Sequence, residues 1–211
     1  NRGFTHFYGH YNGAIDFFTH EREGERDWHR GFEPCDDVGY STELLAREAE
    51  RFIAESPKGE PFFLYVPFNA VHSPLQAPDE YLKQYGYDPA KGPFTGHVPG
   101  GHGGREGRGN SLRQTYGAMT TALDTSVGRI LDALDRKGVA EDTFVLFFSD
   151  NGGIPFFGGD NRPLRGRKGT VWEGGVRVAA AVRWPARLKG GRKIGEVMGY
   201  VDVLPTLRRI A

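Results

Sequence analysis

The chain contains 211 residues, and its 27 Lys and Arg residues balance 27 Asp and Glu residues, so the formal net charge at pH 7 is zero. This balance excludes a protein that binds nucleic acid through an overall basic excess. The apolar fraction of 38% is enough for a buried core, and no apolar run is long enough to span a membrane. A single cysteine, Cys35, excludes an intrachain disulfide.

The first 70 residues divide into three predicted segments. Residues 1–40 are rich in aromatic residues and His but lack helical or strand periodicity, which predicts a packed irregular loop. Ser41 is a suitable N-cap, and apolar residues follow it at helical spacing until Pro57, which predicts an amphipathic helix. Residues 62–68, FFLYVPF, are continuously apolar and predict a strand that is buried on both faces.

The second half of the chain continues the alternation of helix and strand. Residues 86–109 are glycine-rich but lack the Lys-Ser/Thr ending of a phosphate loop, so they predict a loop and not a nucleotide site. Apolar residues at helical spacing predict a long helix over 112–137. Residues 143–148 and 176–184 predict two further strands, and a last helix is expected near Asp202.

This order of elements predicts an α/β fold with a predominantly parallel sheet flanked by helices, because each parallel crossover needs a dozen or more residues. Ligands of such sheets bind outside the carboxyl ends of the strands. We therefore expect functional residues after residues 68 and 148 and before residue 176.

Asp150 and Asn151 follow the strand predicted at 143–148, in the sequence SDNGG. Their side-chain oxygens are hard ligands of the kind that Ca²⁺ or Mg²⁺ takes. The alternative is an ordinary Asx-glycine turn without a metal.

Two further places carry candidate catalytic residues. His72 follows the strand predicted at 62–68, where it is suited to carry a proton or contact an anionic substrate; the alternative is a His that satisfies loop carbonyls. Residues 162–168, RPLRGRK, contain four cations that could enclose sulfate or phosphate, the last being Lys168. A solvated basic loop is the alternative for this segment.

Three stretches together resemble a known family. They are PFFLYVPFNAVHSPLQAP at 61–78, FFSDNGG at 147–153, and DNRPLRGRKGTVWEGGVR at 160–177. They are similar to the type I, formylglycine-dependent sulfatases, the arylsulfatase-like hydrolases of the alkaline-phosphatase-like superfamily. Weaker similarity extends over nearly the whole chain.

The resemblance implies an alkaline-phosphatase-like α/β fold and hydrolysis of aryl or carbohydrate sulfate esters to alcohol and sulfate. It implies that His72 contacts the sulfate ester and Lys168 holds a sulfate oxygen. It also implies that Asp150 and Asn151 ligate Ca²⁺, with Mg²⁺ as the alternative ion. In the family, a formylglycine hydrate attacks the sulfur and the metal and cations stabilise charge on the sulfuryl oxygens.

The family nucleophile has no counterpart in these residues. Cys35 is followed by Asp-Asp-Val and lacks the Pro and Arg of the family's Cys-x-Pro-x-Arg motif, and the Asp36-Asp37 pair does not resemble the family's first metal pair. We therefore expect residues 1–211 to be the central and C-terminal part of a catalytic domain, with the formylglycine upstream and a C-terminal subdomain absent. Alone, this chain should be inactive and should expose apolar surface and unpaired sheet edges.

Two other functions are consistent with the sequence. One is a phosphoester or phosphonate hydrolase of the same superfamily, and the other is a non-catalytic fragment that binds sulfated glycans. Substrate preference is expected to lie in residues 1–40 and 86–109. Periplasmic, secreted or lysosomal localisation is favoured by the resemblance only, and the sequence leaves the oligomeric state open.

Overall fold

The computed structural model describes residues 3–95, 104 and 106–211. The helices are α1 (Ser41–Glu55), α2 (Asp79–Gln84), α3 (Leu112–Lys137), α4 (Glu173–Val176) and α5 (Val203–Ile210). The strands are β1 (Tyr8–Gly9), β2 (Glu21–Arg22), β3 (Glu25–Arg26), β4 (His29–Arg30), β5 (Glu33–Pro34), β6 (Val145–Phe148) and β7 (Ala180–Arg183). Short 3-10 turns occur at Pro89–Lys91, Pro155–Phe157 and Tyr200–Asp202.

The N-terminal region contains more regular structure than the sequence predicts. Strands β1, β4 and β5 form a small antiparallel sheet, and β2 pairs with β3 as a hairpin. Each of these strands is two residues long, which is too short to show a strand period in the sequence. The prediction of an irregular loop over residues 1–40 is therefore wrong in this respect.

Helices α1 and α3 pack against each other and form one layer of the fold. Helix α1 ends where Ser56 Oγ donates a hydrogen bond to the carbonyl of Phe52 at 2.7 Å, just before Pro57. Ser111 Oγ accepts a hydrogen bond from the backbone N–H of Gln114 at the start of α3, which satisfies one of the free amides of the first turn. Gly138 ends the helix with a φ of 75°, a conformation that glycine adopts without steric cost. Both helices are confirmed close to their predicted bounds.

Residues 62–68 form no β-strand in the structure, contrary to the prediction, and side-chain burial alternates along the segment, with residues 63, 65 and 67 exposed and the others half-buried. Phe62 and Leu64 pack against the cluster of Ile53, Ala133, Leu134 and Ala140, whereas Val66 and Phe68 pack near Trp28. The intervening Phe63 and Tyr65 are 60% and 63% exposed. The prediction that both faces are buried is wrong: within the described residues the Phe4 ring lies beside Phe63, with 5.9 Å between centroids, but Phe63 and Tyr65 stay mostly exposed and no strand pairs with this segment.

Strands β6 and β7 are antiparallel, with Val145 opposite Arg183 and Phe148 opposite Ala180. The sequence predicts a parallel arrangement for these two strands, and this prediction is wrong. The chain between them does not cross over the sheet; it returns from the end at which it left, since the amide of Ser149 donates to the carbonyl of Ala179 just beyond the paired residues. The long connection therefore forms a large loop at one end of the strand pair.

The C-terminal residues expose apolar side chains, as expected for an incomplete domain. Helix α5 begins close to the predicted Asp202, and Leu204 in this helix is 68% exposed. Met198 and Tyr200 before it are 63% and 82% exposed. In the part of the chain that the structure describes, no helix is both long and apolar enough to cross a membrane.

Candidate functional site

Asp150 and Asn151 lie at the end of β6, where the ladder to β7 gives way to the long loop. The amide of Ser149 donates to the carbonyl of Ala179 at 3.1 Å, and the amide of Gly152 donates to the carbonyl of Gly175 at 2.9 Å. These bonds hold the backbone on both sides of the two candidate metal ligands. Asp150 is exposed and Asn151 is half-buried.

Glycine is required here because two backbone segments cross in close contact. A Cβ atom on Gly152 would lie 1.8 Å from the carbonyl oxygen of Gly174. A Cβ atom on Gly174 would lie 2.5 Å from the carbonyl oxygen of Gly166. No side chain fits at such distances. The glycines therefore allow the loop of Asp150 and Asn151, residues 149–153, to approach residues 173–176, and these in turn to approach the cation-rich segment at residues 162–168.

Asn161 connects these loops, a role that the sequence analysis did not assign. Its Oδ1 accepts a hydrogen bond from the amide of Gly153 at 2.9 Å. Its Nδ2 donates to the carbonyls of Gly153 at 2.8 Å and of Gly166 at 3.2 Å. An amide side chain can bond a peptide group on both sides in this way, because it carries a donor and an acceptor. Its position in the glycine-bounded sequence GGDNRPLRG, residues 158–166, was the available signal in the sequence.

The four cations of residues 162–168 have different environments. Arg162 forms a two-pronged ion pair with Asp160, which holds the pKa of that exposed carboxyl well below its usual range. Arg165 stacks on the ring of Trp172, with 3.8 Å between the guanidinium carbon and the ring centroid, and Arg167 lies over Phe156 at 5.4 Å. Lys168, by contrast, has no carboxylate or ring partner among the described residues.

Lys168 is positioned next to the candidate metal ligands. Its backbone amide donates to the carbonyl of Gly153 at 3.4 Å, and Lys168 is half-buried. A cleft of about 520 Å³ is lined by Ser149, Asn151, Gly152, Gly153, Asp160, Asn161, Arg162, Pro163, Leu164, Arg177, Val178 and Ala179. Asn151 lines this cleft but Lys168 and Asp150 do not, so the backbone bond to Gly153 is what connects the segment of Lys168 to the loop that follows Asp150 and Asn151.

His72 is exposed and lies in a turn that follows residues 62–68. Its amide donates to the carbonyl of Asn69 at 2.8 Å, and its Nδ1 lies 2.8 Å from the carbonyl oxygen of Ser73. Because a carbonyl oxygen only accepts, Nδ1 carries the hydrogen in this bond. Nε2 is then the ring atom that is available to a substrate.

The turn of His72 and the loop between β6 and β7 both pack near the same end of α3. Ala70 and Val71, next to His72, pack against a core cluster that includes Met119 of α3. Phe157, in the loop after Gly153, packs against the same cluster. This places both segments at one end of the helix layer, although no hydrogen bond or ion pair joins His72 to Asp150 or Lys168 within the described residues.

Asp16 anchors Gln76, four residues after His72, a role that the sequence does not indicate. Its Oδ2 accepts hydrogen bonds from Gln76 Nε2 at 2.8 Å and from the amide of Gly104 at 2.7 Å. Its Oδ1 accepts from the amides of Phe18 and Thr19, both at 2.9 Å. Burial alone would raise the pKa of Asp16, but these donors stabilise the carboxylate and lower the pKa below its usual value.

The side-chain oxygens of Asp150 and Asn151 are ligand atoms that suit a hard divalent cation. Within the part of the chain that the structure describes, no hydrogen bond or ion pair engages the Asp150 carboxylate or the Asn151 amide. A carboxylate and an amide oxygen fit Ca²⁺, but they are two of the six to eight ligands it takes. No group of three or more His, Cys, Asp or Glu residues suited to a metal occurs among the described residues. These two residues therefore fit one part of a calcium site.

Cys35 has a structural environment. It packs against the core cluster of Ile15, Trp28, Leu44 and Leu45. Burial raises the pKa of the Cys35 thiol, which keeps it protonated and a poor nucleophile. This environment agrees with the sequence-based expectation that Cys35 does not attack the substrate.

The chain matches sulfatases along its full length. The family model described as Sulfatase matches residues 1–211. Arylsulfatase J of Mus musculus is 32% identical over 230 residues, covering 100% of this chain and 33% of its own length. Steryl-sulfatase of Mus musculus is 37% identical over 183 residues, covering 83% of this chain and 25% of its own length.

Solved structures agree with the sequence matches. The crystal structure of Ps i-CgsB has a TM-score of 0.83 and 30% identity, covering 100% of this chain and 46% of that chain. Its complex with k-i-k-neocarrahexaose has a TM-score of 0.82 and 29% identity, covering 99% of this chain and 46% of that chain.

The chain thus spans about a third or less of these curated relatives and less than half of the solved structures. The structural match confirms the predicted alkaline-phosphatase-like α/β fold, which is incomplete in this chain. The sequence match and the structural match both lead to one assignment: the chain belongs to the sulfatase family.

Proposed function

We propose that the protein containing this chain hydrolyses sulfate esters to an alcohol and sulfate. The observation that carries the proposal is the Asn161 connection, which ties the loop of Asp150 and Asn151 to the segment of Lys168. Lys168, which has no carboxylate or ring partner among the described residues, is thereby connected to the loop of the proposed metal ligands. Such a combination suits the trigonal oxygens of a sulfuryl group, on which negative charge increases during hydrolysis.

In this proposal, Asp150 and Asn151 are two ligands of a Ca²⁺ ion, or of Mg²⁺ as the alternative. The bound ion would supply positive charge close to the sulfuryl oxygens. The remaining ligands and the formylglycine nucleophile are proposed to lie outside residues 1–211, because Cys35 lacks the family's Pro and Arg and is packed in the core.

The roles of the two catalytic side chains follow from their surroundings. The Lys168 ammonium donates a hydrogen bond to a sulfate oxygen, since it has no competing carboxylate among the described residues. His72 presents Nε2 to the ester, because its Nδ1 donates to Ser73. For proton donation His72 must be in its imidazolium form, with hydrogens on both ring nitrogens; its Nε2 proton then passes to the leaving alcohol oxygen as the bond between sulfur and that oxygen breaks, which leaves a neutral imidazole with its hydrogen on Nδ1.

Carbohydrate sulfates are the substrate class that we propose for the protein. The support is the match to Ps i-CgsB, whose structure contains a k-i-k-neocarrahexaose. Aryl sulfates are simpler sulfate esters and serve as assay substrates. The family relationship also supports export to the periplasm, secretion or a lysosomal location as the proposal for localisation.

The experiment measures sulfate release from 4-nitrophenyl sulfate and from a sulfated disaccharide by the complete protein. We expect Lys168→Ala and His72→Ala each to lower kcat by about 100-fold or more, the usual effect of removing one transition-state contact or proton donor. Lys189→Ala, an exposed lysine outside the cleft, is the matched control and should leave kcat unchanged.

Metal dependence is tested in the same assay. Chelation should abolish activity, added Ca²⁺ should restore it, and Asp150→Asn should raise the Ca²⁺ concentration needed for half-maximal activity. Faster turnover of 4-nitrophenyl phosphate than of the sulfate would replace the proposal with the phosphoester alternative. Binding of the sulfated disaccharide without turnover and without metal dependence would favour a glycan-binding function.

A further inference from the structure

A second cleft adjoins the candidate site and is not used by the proposed chemistry. Its volume is about 630 Å³, and it is lined by Leu112, Arg113, Pro155, Phe156, Gly158, Gly159, Asp160, Asn161, Arg162, Leu164 and Gly166. Four of these residues, Asp160, Asn161, Arg162 and Leu164, also line the cleft that contains Asn151. The two clefts are therefore neighbours that share one wall.

Arg113 is the charged residue that distinguishes the second cleft. It is the second residue of α3, it is exposed, and its Nη1 donates to the carbonyl of Gly158 at 2.5 Å. That bond fixes the guanidinium at the edge of the cleft. Within the described residues Arg113 forms no direct ion pair with a carboxylate, although its charge, after the stronger effect of Arg162, also lowers the pKa of Asp160. Asp160, Arg162 and Arg113 together therefore carry one net positive charge, and the other N–H groups of Arg113 remain available.

Arg162 differs from Arg113 although both line the cleft. The Asp160 carboxylate accepts from Arg162 Nε at 2.9 Å and from Nη2 at 2.5 Å, so their charges compensate each other. The Asp160–Arg162 pair therefore forms a neutral wall between the two clefts. Arg113 supplies the net positive charge on the far side of this wall.

Apart from Asn161 and three glycines, the remainder of the lining is apolar. Phe156 is 69% exposed, and Leu112, Pro155 and Leu164 contribute further apolar surface. A cleft with apolar walls and a single fixed cation suits a ring-sized group that carries one negative charge. Bidentate bonds from a guanidinium fit the planar arrangement of two oxygens on a sulfate or carboxylate.

We propose that the second cleft binds the sugar next to the sulfated one and that Arg113 binds a second anionic group, a sulfate or carboxylate, on that sugar. This inference rests on the proposed function, and it makes Arg113 a specificity-determining residue. The preferred substrate is then a glycan with anionic groups on adjacent sugars. A simple aryl sulfate leaves the second cleft empty.

The test compares two disaccharides in the complete protein, one sulfated on both rings and one sulfated on the scissile ring alone. We expect Arg113→Gln to raise KM for the disulfated compound by about 10-fold or more, the effect of losing a charge-assisted hydrogen bond. Its kcat should change less than about twofold, and the KM for the monosulfated compound should not change. Arg113→Lys keeps the charge and should show an intermediate KM.

Arg47→Gln is the matched control, because Arg47 is an exposed arginine of α1 that does not line the cleft. It should leave both KM values unchanged. Equal effects of Arg113→Gln on the two compounds, or no effect on either, would overturn the proposal. Thermal unfolding of each variant separates lost recognition from lost stability.

The outcome also distinguishes this inference from the proposed function. If the wild-type protein hydrolyses neither disaccharide, the proposed function fails, and calorimetric binding of the disulfated disaccharide then tests the cleft by itself. Binding that is at least 10-fold weaker in Arg113→Gln would support the anion subsite. Binding of equal strength in the two proteins would refute it.

Discussion

Replacing Asp16 with Asn tests whether a buried carboxylate anchors Gln76, four residues after His72. The two side chains have nearly the same shape, but Asn presents an NH₂ group where Asp16 has an oxygen. Each carboxylate oxygen accepts two hydrogen bonds from N–H donors, so the NH₂ group faces two donors in either orientation. Two hydrogen bonds to a charged acceptor are lost in each case.

The expected cost follows from those bonds. Hydrogen bonds to charged groups contribute about 1.5–3 kcal/mol each, so two contribute about 3–6 kcal/mol. The lower end applies because Gly104 is exposed and its amide can bond water instead. A loss of about 3 kcal/mol lowers the Tm of the 211-residue chain by about 6–12 °C, and that of a longer protein by less. Differential scanning calorimetry of wild type and Asp16→Asn measures this shift.

A compensating substitution sharpens the test. Gln76 Oε1 accepts from the amide of Phe17 at 2.9 Å, while its Nε2 donates to Asp16. When Asp16→Asn is combined with Gln76→Glu, the amide introduced at position 16 donates to the new carboxylate, and the Phe17 amide still has an acceptor. We expect the double variant to recover about half of the loss, whereas Gln76→Glu alone places two carboxylates together and destabilises the fold. A Tm change below about 1 °C in Asp16→Asn, or no recovery in the double variant, would refute the reasoning.

Three further predictions concern the site loop and the N-terminal region. Gly152→Ala forces apart two backbone segments, since its Cβ would lie 1.8 Å from the carbonyl oxygen of Gly174, and we expect kcat/KM for 4-nitrophenyl sulfate to fall by about 100-fold. Asn161→Ala removes three hydrogen bonds between the loops, and we expect a fall of roughly 10- to 100-fold in kcat/KM with little change in global Tm. A normal kcat/KM in either variant would contradict the proposed arrangement. Burial alone would raise the pKa of Glu48, but hydrogen bonds from Arg51 and Arg30 lower it from 4.5 to about 2. The stability from this carboxylate is therefore complete above pH 4.5 and is lost as the pH falls towards about 2; a Tm–pH profile measures it, and Glu48→Gln should show a weaker dependence over that range.

Much of the local structure follows from the sequence. Helices α1 and α3 are predictable because apolar periodicity is a local signal and because Pro57 and Gly138 mark their ends. Residues 62–68, by contrast, have the composition of a buried strand but form no β-strand in the structure. Strand pairing and burial of both faces depend on which neighbours are present, and composition does not specify them.

The residues of the candidate site also fall into two groups: those that the sequence indicates and those that only the structure reveals. His72, Asp150, Asn151 and Lys168 stand out by residue type and by position after a strand or among glycines. Asp16 and Gln76 do not stand out, because the sequence separates these residues by sixty positions and each has an ordinary polar side chain. Their contribution depends on a hydrogen bond that exists only in the folded chain.

The sequence by itself determined the family, the helices and the residue types available for sulfate and metal binding, because these depend on local patterns and motifs. The tertiary structure alone decided that β6 and β7 are antiparallel, because strand direction depends on where the intervening loop returns. It also decided that Asn161 joins the two site loops and that Arg113 supplies a net positive charge beside a second cleft. Those facts arise from contacts between distant segments, which no local pattern in the sequence specifies.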